Sequence, residues 1–135
     1  MTVVVDASAV VAALVDYGPD GEWAGSELVR EGLAAPHLMP VEAANILRRA
    51  ALAGDISADS AVQAHDDLVE LRVDLFPYEP HARRVWQLRD SLTAYDAWYV
   101  ALAEALGAAV VTLDRRMARA PGLQCAFRLP PRSAQ

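Results

Sequence analysis

Two kinds of hydrophobic pattern alternate along the chain. Short apolar or β-branched runs, of which residues 3–5 and 109–113 are the clearest, are typical of strands buried on both faces. Between them lie longer segments of mixed polarity with helix-start and helix-stop residues, such as Pro40 and Gly54 around one of them. Because helical crossovers separate the strands, the pattern predicts a parallel α/β sheet.

The predicted elements fill almost the whole chain and leave no room for a linker. We expect one domain over residues 1–129, with a central parallel sheet of about four to five strands flanked by helices, and a flexible C-terminal tail over residues 130–135. The predicted strands are 3–5, 33–35, 73–76, 109–113 and 125–129. The predicted helices are 9–15, 23–31, 40–53, 58–71 after Ser57, 80–92, 94–106 after Thr93 and before Gly107, and 115–119.

Four acids occupy equivalent places in this pattern. Asp6 and Asp114 each come directly after a predicted strand, and ligands bind at the carboxyl ends of parallel strands. Glu42 and Asp96 each lie in the first turn of a predicted helix, and such helix starts commonly face the same edge of the sheet. We therefore expect four carboxylates from distant segments to converge on one crevice.

Each acid also has a purely structural interpretation. Asp6 and Asp114 are well placed as N-caps, and the helix dipole favours Glu42 in a first turn. Thr93 and Asp96 have the spacing of a capping box. Taken singly, these interpretations are the stronger ones; taken together, four such acids favour a functional site.

Asp96 carries the argument furthest because its helix, AYDAWYVALA, is apolar nearly all round and is therefore expected to be buried. An unpaired carboxylate there costs several kcal/mol or takes up a proton, and a divalent cation resolves the conflict. Oxygen ligands without cysteine or clustered histidine favour Mg²⁺ or Mn²⁺ over zinc. Such an ion, with Asp6 and Asp96 as core ligands and Glu42 and Asp114 completing the shell, would activate water to attack a phosphate ester. Thr112 and Ser8 are candidate supports for a ligand or water.

Charge and composition narrow the class of protein. The net charge is −6, but it is unevenly spread, from −9 over residues 1–75 to +3 over residues 76–135. All 12 cationic residues are arginine, which suits phosphate contacts, although GC-rich coding DNA explains the bias equally well. The scattered glycines form no phosphate-binding loop, and the lack of lysine argues against phosphoaspartyl receivers and haloacid-dehalogenase-type phosphatases. With no membrane-spanning stretch or signal peptide in the sequence, we expect a cytoplasmic protein.

Three segments, in this order and separation, resemble PIN-domain ribonucleases, in particular VapC-type toxins of bacterial toxin–antitoxin pairs. They are VVVDASAVVAALV, MPVEAANILRRAALAG and LTAYDAWYVALAEALGAAVVTLDRRMA, and they contain all four acids. The resemblance implies an endoribonuclease that uses Mg²⁺ or Mn²⁺, usually dimerises, and is held inactive by a cognate VapB-like antitoxin. It also makes six arginines candidates for guiding RNA: Arg83, Arg84, Arg89, Arg115, Arg116 and Arg119.

Two alternatives remain from the sequence. Metal-activated water does not need the 2′-hydroxyl of RNA, so a flap-type or repair DNase would use the same four acids. A catalytically silent PIN-like module that only binds a partner protein would retain the fold alone.

Overall fold

Five parallel strands form the centre of the molecule, a computed structural model that describes residues 1–132. The strands are β1 (Thr2–Val5), β2 (Gly32–Pro36), β3 (Asp74–Phe76), β4 (Ala109–Val111) and β5 (Phe127–Arg128). Their order across the sheet is β3-β2-β1-β4-β5, and every neighbouring pair is parallel. The helices are α1 (Ala7–Val15), α2 (Pro19–Arg30), α3 (Met39–Leu52), α4 (Ala58–Glu70), α5 (Ala82–Gln87), α6 (Ala94–Leu106) and α7 (Arg115–Arg119). The predicted central sheet flanked by helices is confirmed.

The core is built around β1 and α6. Val4 and Val5 of β1 are completely buried, as the β-branched run predicts for a central strand. Helix α6 packs against β1, β2 and β4, and its apolar side chains are buried on nearly every face. Thr93 caps its first turn and Gly107, at φ 63°, ends it, both as predicted. No helix among residues 1–132 combines the length and apolar character needed to cross a membrane.

Three predicted elements are shorter than expected by more than one residue, among them the predicted strand 125–129, of which only Phe127–Arg128 forms a strand. The predicted helix 80–92 is a single 3-10 turn at Glu79–His81 followed by α5, which ends at Gln87, where the Arg89 guanidinium donates to the Trp86 carbonyl. The predicted strand 109–113 stops at Val111. The Thr112 N–H still bonds to the Arg128 carbonyl of β5, but the next two N–H groups bond to side chains: that of Leu113 to Ser8, and that of Asp114 to Thr112. The strand therefore ends where side-chain hydroxyl groups replace backbone carbonyls as the acceptors of the backbone N–H groups.

The predicted tail begins with an ordered contact. Pro130 is buried, and its carbonyl accepts a hydrogen bond from the Arg115 guanidinium. Residues 133–135 of the predicted tail lie outside the described residues.

Candidate active site

The central feature of the site is Asp6, at the carboxyl end of β1. Its backbone N–H donates to the Val111 carbonyl of the neighbouring strand β4, 3.0 Å away. Its Oδ2 atom accepts two hydroxyl hydrogen bonds, from Thr112 at 2.6 Å and from Ser8 at 2.9 Å. Although Asp6 precedes α1, its side chain caps no helix N–H, so the capping interpretation fails for it. Asp6 is buried and is held in place by hydroxyl groups instead.

Asp114, three residues after the end of β4, does cap a helix. Its Oδ1 atom accepts from the backbone N–H groups of Arg116 at 2.9 Å and Met117 at 3.2 Å. The structural interpretation is therefore correct for one of its two carboxylate oxygens. Among the described residues, Oδ2 accepts no hydrogen bond.

Glu42, in the first turn of α3, meets a residue that was not predicted as part of the site. The hydroxyl group of Tyr99 donates to Glu42 Oε1 at 2.6 Å. Tyr99 is completely buried, and the sequence alone assigned it to the apolar core of its helix. Its position three residues after Asp96, on the same face of α6, is the signal that would have identified it.

Asp96 lies in the first turn of α6, where its backbone N–H donates to the Thr93 hydroxyl at 3.2 Å. That bond is one half of the predicted capping box. The other half is missing, since the Asp96 carboxylate accepts no hydrogen bond within residues 1–132. The carboxylate is half-buried and has neither a donor nor an ion-pair partner at close range among the described residues.

The four carboxylates lie within one electrostatic neighbourhood. Burial raises the pKa of Asp6, Glu42 and Asp96. Negative neighbours raise each pKa further: Asp114 acts on Asp6, Asp6 and Asp96 act on Glu42, and Asp6 and Asp114 act on Asp96. Hydroxyl hydrogen bonds oppose the effect at Asp6 and Glu42, since they stabilise the charged form. We call these four side chains the carboxylate cluster.

The cluster has the donor set of a hard cation, although its side chains are not closed around one point. Its members offer only carboxylate oxygens, the ligands preferred by Mg²⁺ and Mn²⁺. Within residues 1–132, no three acidic, histidine or cysteine side chains are gathered as tightly as a complete coordination sphere requires. The residues therefore fit such an ion in chemistry, charge and location, and their side chains would have to close on it.

A cavity of about 410 Å³ opens beside the cluster. Asp96 and Asp114 line one part of it, and Arg116 and Arg119 line another. Arg116 also lowers the pKa of Asp96, opposing the acidic neighbours. The cavity therefore presents carboxylates and guanidinium groups side by side.

The six arginines predicted to guide RNA differ in their surroundings. Arg84 is fully engaged: it binds both oxygens of Glu104, at 2.7 and 3.1 Å, and also the Gly122 carbonyl and Gln87. Arg89 lies over the Trp86 ring, 4.9 Å from its centre, and Arg115 holds Pro130. Arg83, Arg116 and Arg119 are exposed. Of the six, only Arg116 and Arg119 line the cavity beside the acids.

Comparison with known proteins identifies the fold and the family. The PIN domain model matches residues 3–123, which include all four acids. Ribonuclease VapC1 of Mycobacterium tuberculosis is 44% identical over 133 residues, covering 93% of this chain and 96% of that protein. The chain is a PIN domain of the VapC ribonuclease family. Ribonuclease VapC9 of the same organism is 41% identical, covering 96% of this chain and 99% of that protein.

Solved structures agree with this PIN fold. The crystal structure of PAE2754 from Pyrobaculum aerophilum has a TM-score of 0.67 at 28% identity, and covers 94% of this chain and 83% of that one. The family resemblance noted from the three sequence segments is thereby confirmed.

Proposed function

We propose that this PIN domain is a Mg²⁺- or Mn²⁺-dependent endoribonuclease whose carboxylate cluster holds the ion. The proposal is carried by the raised pKa of three clustered acids, Asp6, Glu42 and Asp96. Burial and the negative charge of neighbouring carboxylates both disfavour the ionised form of these acids. A divalent cation removes the repulsion between them. When bound, the ion would lower the pKa of a coordinated water and offset charge on the phosphoryl and leaving oxygens.

The residues of the cluster have different tasks in this proposal. Asp6 supplies a fixed carboxylate, since Thr112 and Ser8 both hold its Oδ2 and leave Oδ1 to face the ion. Asp96 would be able to turn toward the ion because no hydrogen bond from residues 1–132 restrains its carboxylate. Asp114 offers Oδ2 while its Oδ1 anchors α7. Glu42 completes the set from α3, directly or through water.

Arg116 and Arg119 are proposed to hold the RNA backbone. They line the cavity that Asp96 and Asp114 also line, so a phosphate bound there lies beside the cluster. Guanidinium groups bind phosphate oxygens in a forked geometry. RNA as the substrate is supported by the relatives, which are ribonucleases and which this chain matches over almost their full length.

A protein partner is also proposed. Solved structures with this fold include VapBC2 from Rickettsia felis bound to a DNA fragment from its promoter, with a TM-score of 0.67 at 14% identity and covering 97% of this chain and all of that one. They also include VapBC-5 from Mycobacterium tuberculosis, a member of the VapBC family of toxin–antitoxin systems. We infer that this chain is the toxin of such a pair, acts in the cytoplasm, forms a homodimer, and is neutralised by a VapB-like antitoxin. A cationic side chain of the antitoxin would satisfy the carboxylate cluster in place of the metal.

Cleavage by the purified protein tests the enzyme. Structured RNA should be cut in Mn²⁺ or Mg²⁺ and left intact in EDTA, and Asp96→Asn should abolish cutting while the protein stays folded. Full activity of Asp96→Asn would refute the mechanism. Flap or duplex DNA, offered in parallel, distinguishes a DNase, and cleavage of neither would favour a silent binding module.

Growth tests the toxin assignment. Induction of the gene in a bacterial host should arrest growth, and co-expression of the neighbouring antitoxin reading frame should restore it. Asp96→Asn serves as the control that should cause no arrest. Arrest by this variant as well would mean that toxicity does not depend on cleavage.

A further inference from the structure

The hydroxyl group of Tyr99 is the one polar atom of an otherwise apolar, buried side chain. Tyr99 is 0% exposed, and its hydroxyl lies 2.6 Å from Glu42 Oε1. Burial and the bond to Glu42 both raise the pKa of Tyr99, so the phenol keeps its proton and acts only as a donor to the carboxylate. The charge of Asp6 also raises the pKa of Tyr99.

One face of helix α6 therefore carries one acid of the cluster and contacts a second. Asp96 is itself part of the cluster, and Tyr99, one turn further on, contacts Glu42 from another helix. Glu42 sits in the first turn of α3, and a glutamate side chain has three rotatable bonds, so its carboxylate has many positions available. Among residues 1–132, the Tyr99 hydroxyl is the only side-chain hydrogen-bond partner of Glu42. A single contact thus fixes the position of one acid relative to the other.

We propose that Tyr99 is a positioning residue that holds Glu42 Oε1 and presents Oε2 to the metal ion. The role rests on the proposed metal-dependent function. Tyr99 itself would touch neither metal nor RNA. Its hydroxyl group orients a ligand in the way that outer hydrogen-bond partners orient ligands in metal sites.

A purely structural role would be filled equally well by phenylalanine. The ring of Tyr99 packs in the core, and Tyr99→Phe retains that ring while removing only the hydroxyl group. Tyr95, on the same helix but 60% exposed, provides a matched control in Tyr95→Phe. Both variants are expected to fold.

Mn²⁺ binding without RNA is the decisive measurement, by calorimetry or by the paramagnetic resonance of free Mn²⁺. Tyr99→Phe should weaken Mn²⁺ affinity about tenfold, the lower end of the effect of removing an outer partner, while Tyr95→Phe should bind like the wild type. In a double-mutant cycle, Tyr99→Phe should have little further effect once Glu42→Gln is present, because both changes act through one carboxylate. Cleavage should fall mainly in kcat, with KM for RNA unchanged.

Three outcomes would overturn the proposal, and they have different meanings. Wild-type Mn²⁺ affinity in Tyr99→Phe would exclude the positioning role and leave the proposed nuclease intact. Fully additive losses in the double variant would show that Tyr99 does not act through Glu42. No Mn²⁺ binding by the wild type would exclude the metal site, and the role of Tyr99 with it.

Discussion

At the scale of single residues, the site is organised by hydroxyl groups. Thr112 is completely buried, donates to Asp6 Oδ2, and accepts from the Asp114 backbone N–H at 2.9 Å. One side chain thus links the two acids that follow β1 and β4 along the chain. The Ser8 hydroxyl joins the same arrangement by donating to Asp6 and accepting from Leu113 N. The positions of Asp6 and Asp114 therefore depend on a buried threonine between them.

Replacement of Thr112 by valine tests this dependence. Thr112→Val keeps the shape but removes a hydrogen bond to a buried carboxylate, which should cost about 1.5–3 kcal/mol of stability. Because the Thr112 bond lowers the pKa of Asp6, its loss should raise that pKa and move the acidic limb of the pH–rate profile to higher pH. Urea unfolding and cleavage rates across pH measure the two effects. Thr112→Ser, which keeps the hydroxyl group, should retain the wild-type profile; a wild-type profile in Thr112→Val would refute the role.

The sequence analysis named the four acids and the two hydroxyl residues Thr112 and Ser8, but it did not name Tyr99 or say which acid each hydroxyl group would contact. Asp6 was identifiable because a β-branched run ends directly before it, and Asp96 because an apolar helix rarely carries a carboxylate. Asp114 was identified from a strand predicted to end at Leu113, although the strand ends at Val111. Their side-chain geometry depends on contacts across the fold. That Thr112 reaches Asp6 follows from the register of β1 and β4, and that Tyr99 reaches Glu42 follows from how α3 and α6 pack. Neither contact is visible in a local pattern.

At the scale of elements, the close packing of α1 against α2 depends on one glycine. A Cβ atom at Gly21 would lie 1.7 Å from the Asp16 carbonyl oxygen and 2.9 Å from that of Ala12. Both atoms are backbone and cannot swing aside. The sequence prediction began the second helix at Trp23 and missed this contact; the helix begins at Pro19, whose fixed φ suits a first turn.

Alanine at Gly21 should destabilise the protein, whereas alanine at Gly25 should not. Gly25 lies in the same helix, and a Cβ atom there would meet no atom of residues 1–132 within 4 Å. We expect Gly21→Ala to cost about 1–3 kcal/mol or more through overpacking, and Gly25→Ala to stabilise by about 0.5–1 kcal/mol through helix propensity. Urea unfolding of both variants provides the comparison. Equal stabilities would show that α2 can shift away from α1 at no cost.

The arginines of α5 and α7 serve different purposes. Arg84 of α5 joins α6 and the following loop through Glu104 and Gly122, whereas Arg116 and Arg119 of α7 face the cavity beside the acids. Arg84→Gln should therefore lower the unfolding temperature, since it leaves Glu104 without its partner. Arg116→Gln and Arg119→Gln should leave that temperature unchanged, weaken RNA binding, and reduce its dependence on salt.

RNA binding for this test is best measured in the Asp96→Asn background, where no cleavage occurs. Arg83→Gln is the matched control, because Arg83 is exposed on α5 and does not line the cavity. Loss of RNA affinity in Arg83→Gln equal to that in Arg116→Gln would place the RNA on a broader surface than the cavity.

At the scale of the whole molecule, long-range ion pairs bind the edge of the sheet to the helices. Arg128 of β5 bonds to Glu27 of α2 at 3.1 Å and to Glu31 at 3.3 Å, about a hundred residues away along the chain. Glu27 is buried, which a helix pattern gives no reason to expect of a glutamate. The fold class and the strands and helices that build the sheet could be predicted from the sequence. The pairing of particular charges was not, since it depends on which elements become neighbours.

The carboxylate cluster makes the stability of the metal-free protein depend on pH. The pKa of Asp6, Glu42 and Asp96 is raised in the folded state above the ordinary values of 3.8, 4.5 and 3.8. Between these values and the raised ones, the folded state binds more protons than the unfolded state, so stability falls as pH rises. Glu104, whose pKa is lowered, makes stability depend on pH only below its ordinary value of 4.5, where its stabilising contribution is lost as the pH falls. His81, whose pKa is lowered by burial, acts in the opposite direction below 6.5.

A double variant, Glu42→Gln with Asp96→Asn, isolates the carboxylate contribution because His81 is common to both proteins and cancels in the comparison. In EDTA at about pH 7.5, the double variant should be more stable than the wild type, and the difference should shrink as the pH falls toward the ordinary carboxylate values. Added Mn²⁺ should stabilise the wild type, and increasingly so at higher pH, because the ion binds the ionised acids. Urea unfolding at several pH values, with EDTA or Mn²⁺, measures all three effects. A double variant less stable than the wild type in EDTA would show that the carboxylates do not repel one another, and would remove the argument from which the metal site was inferred.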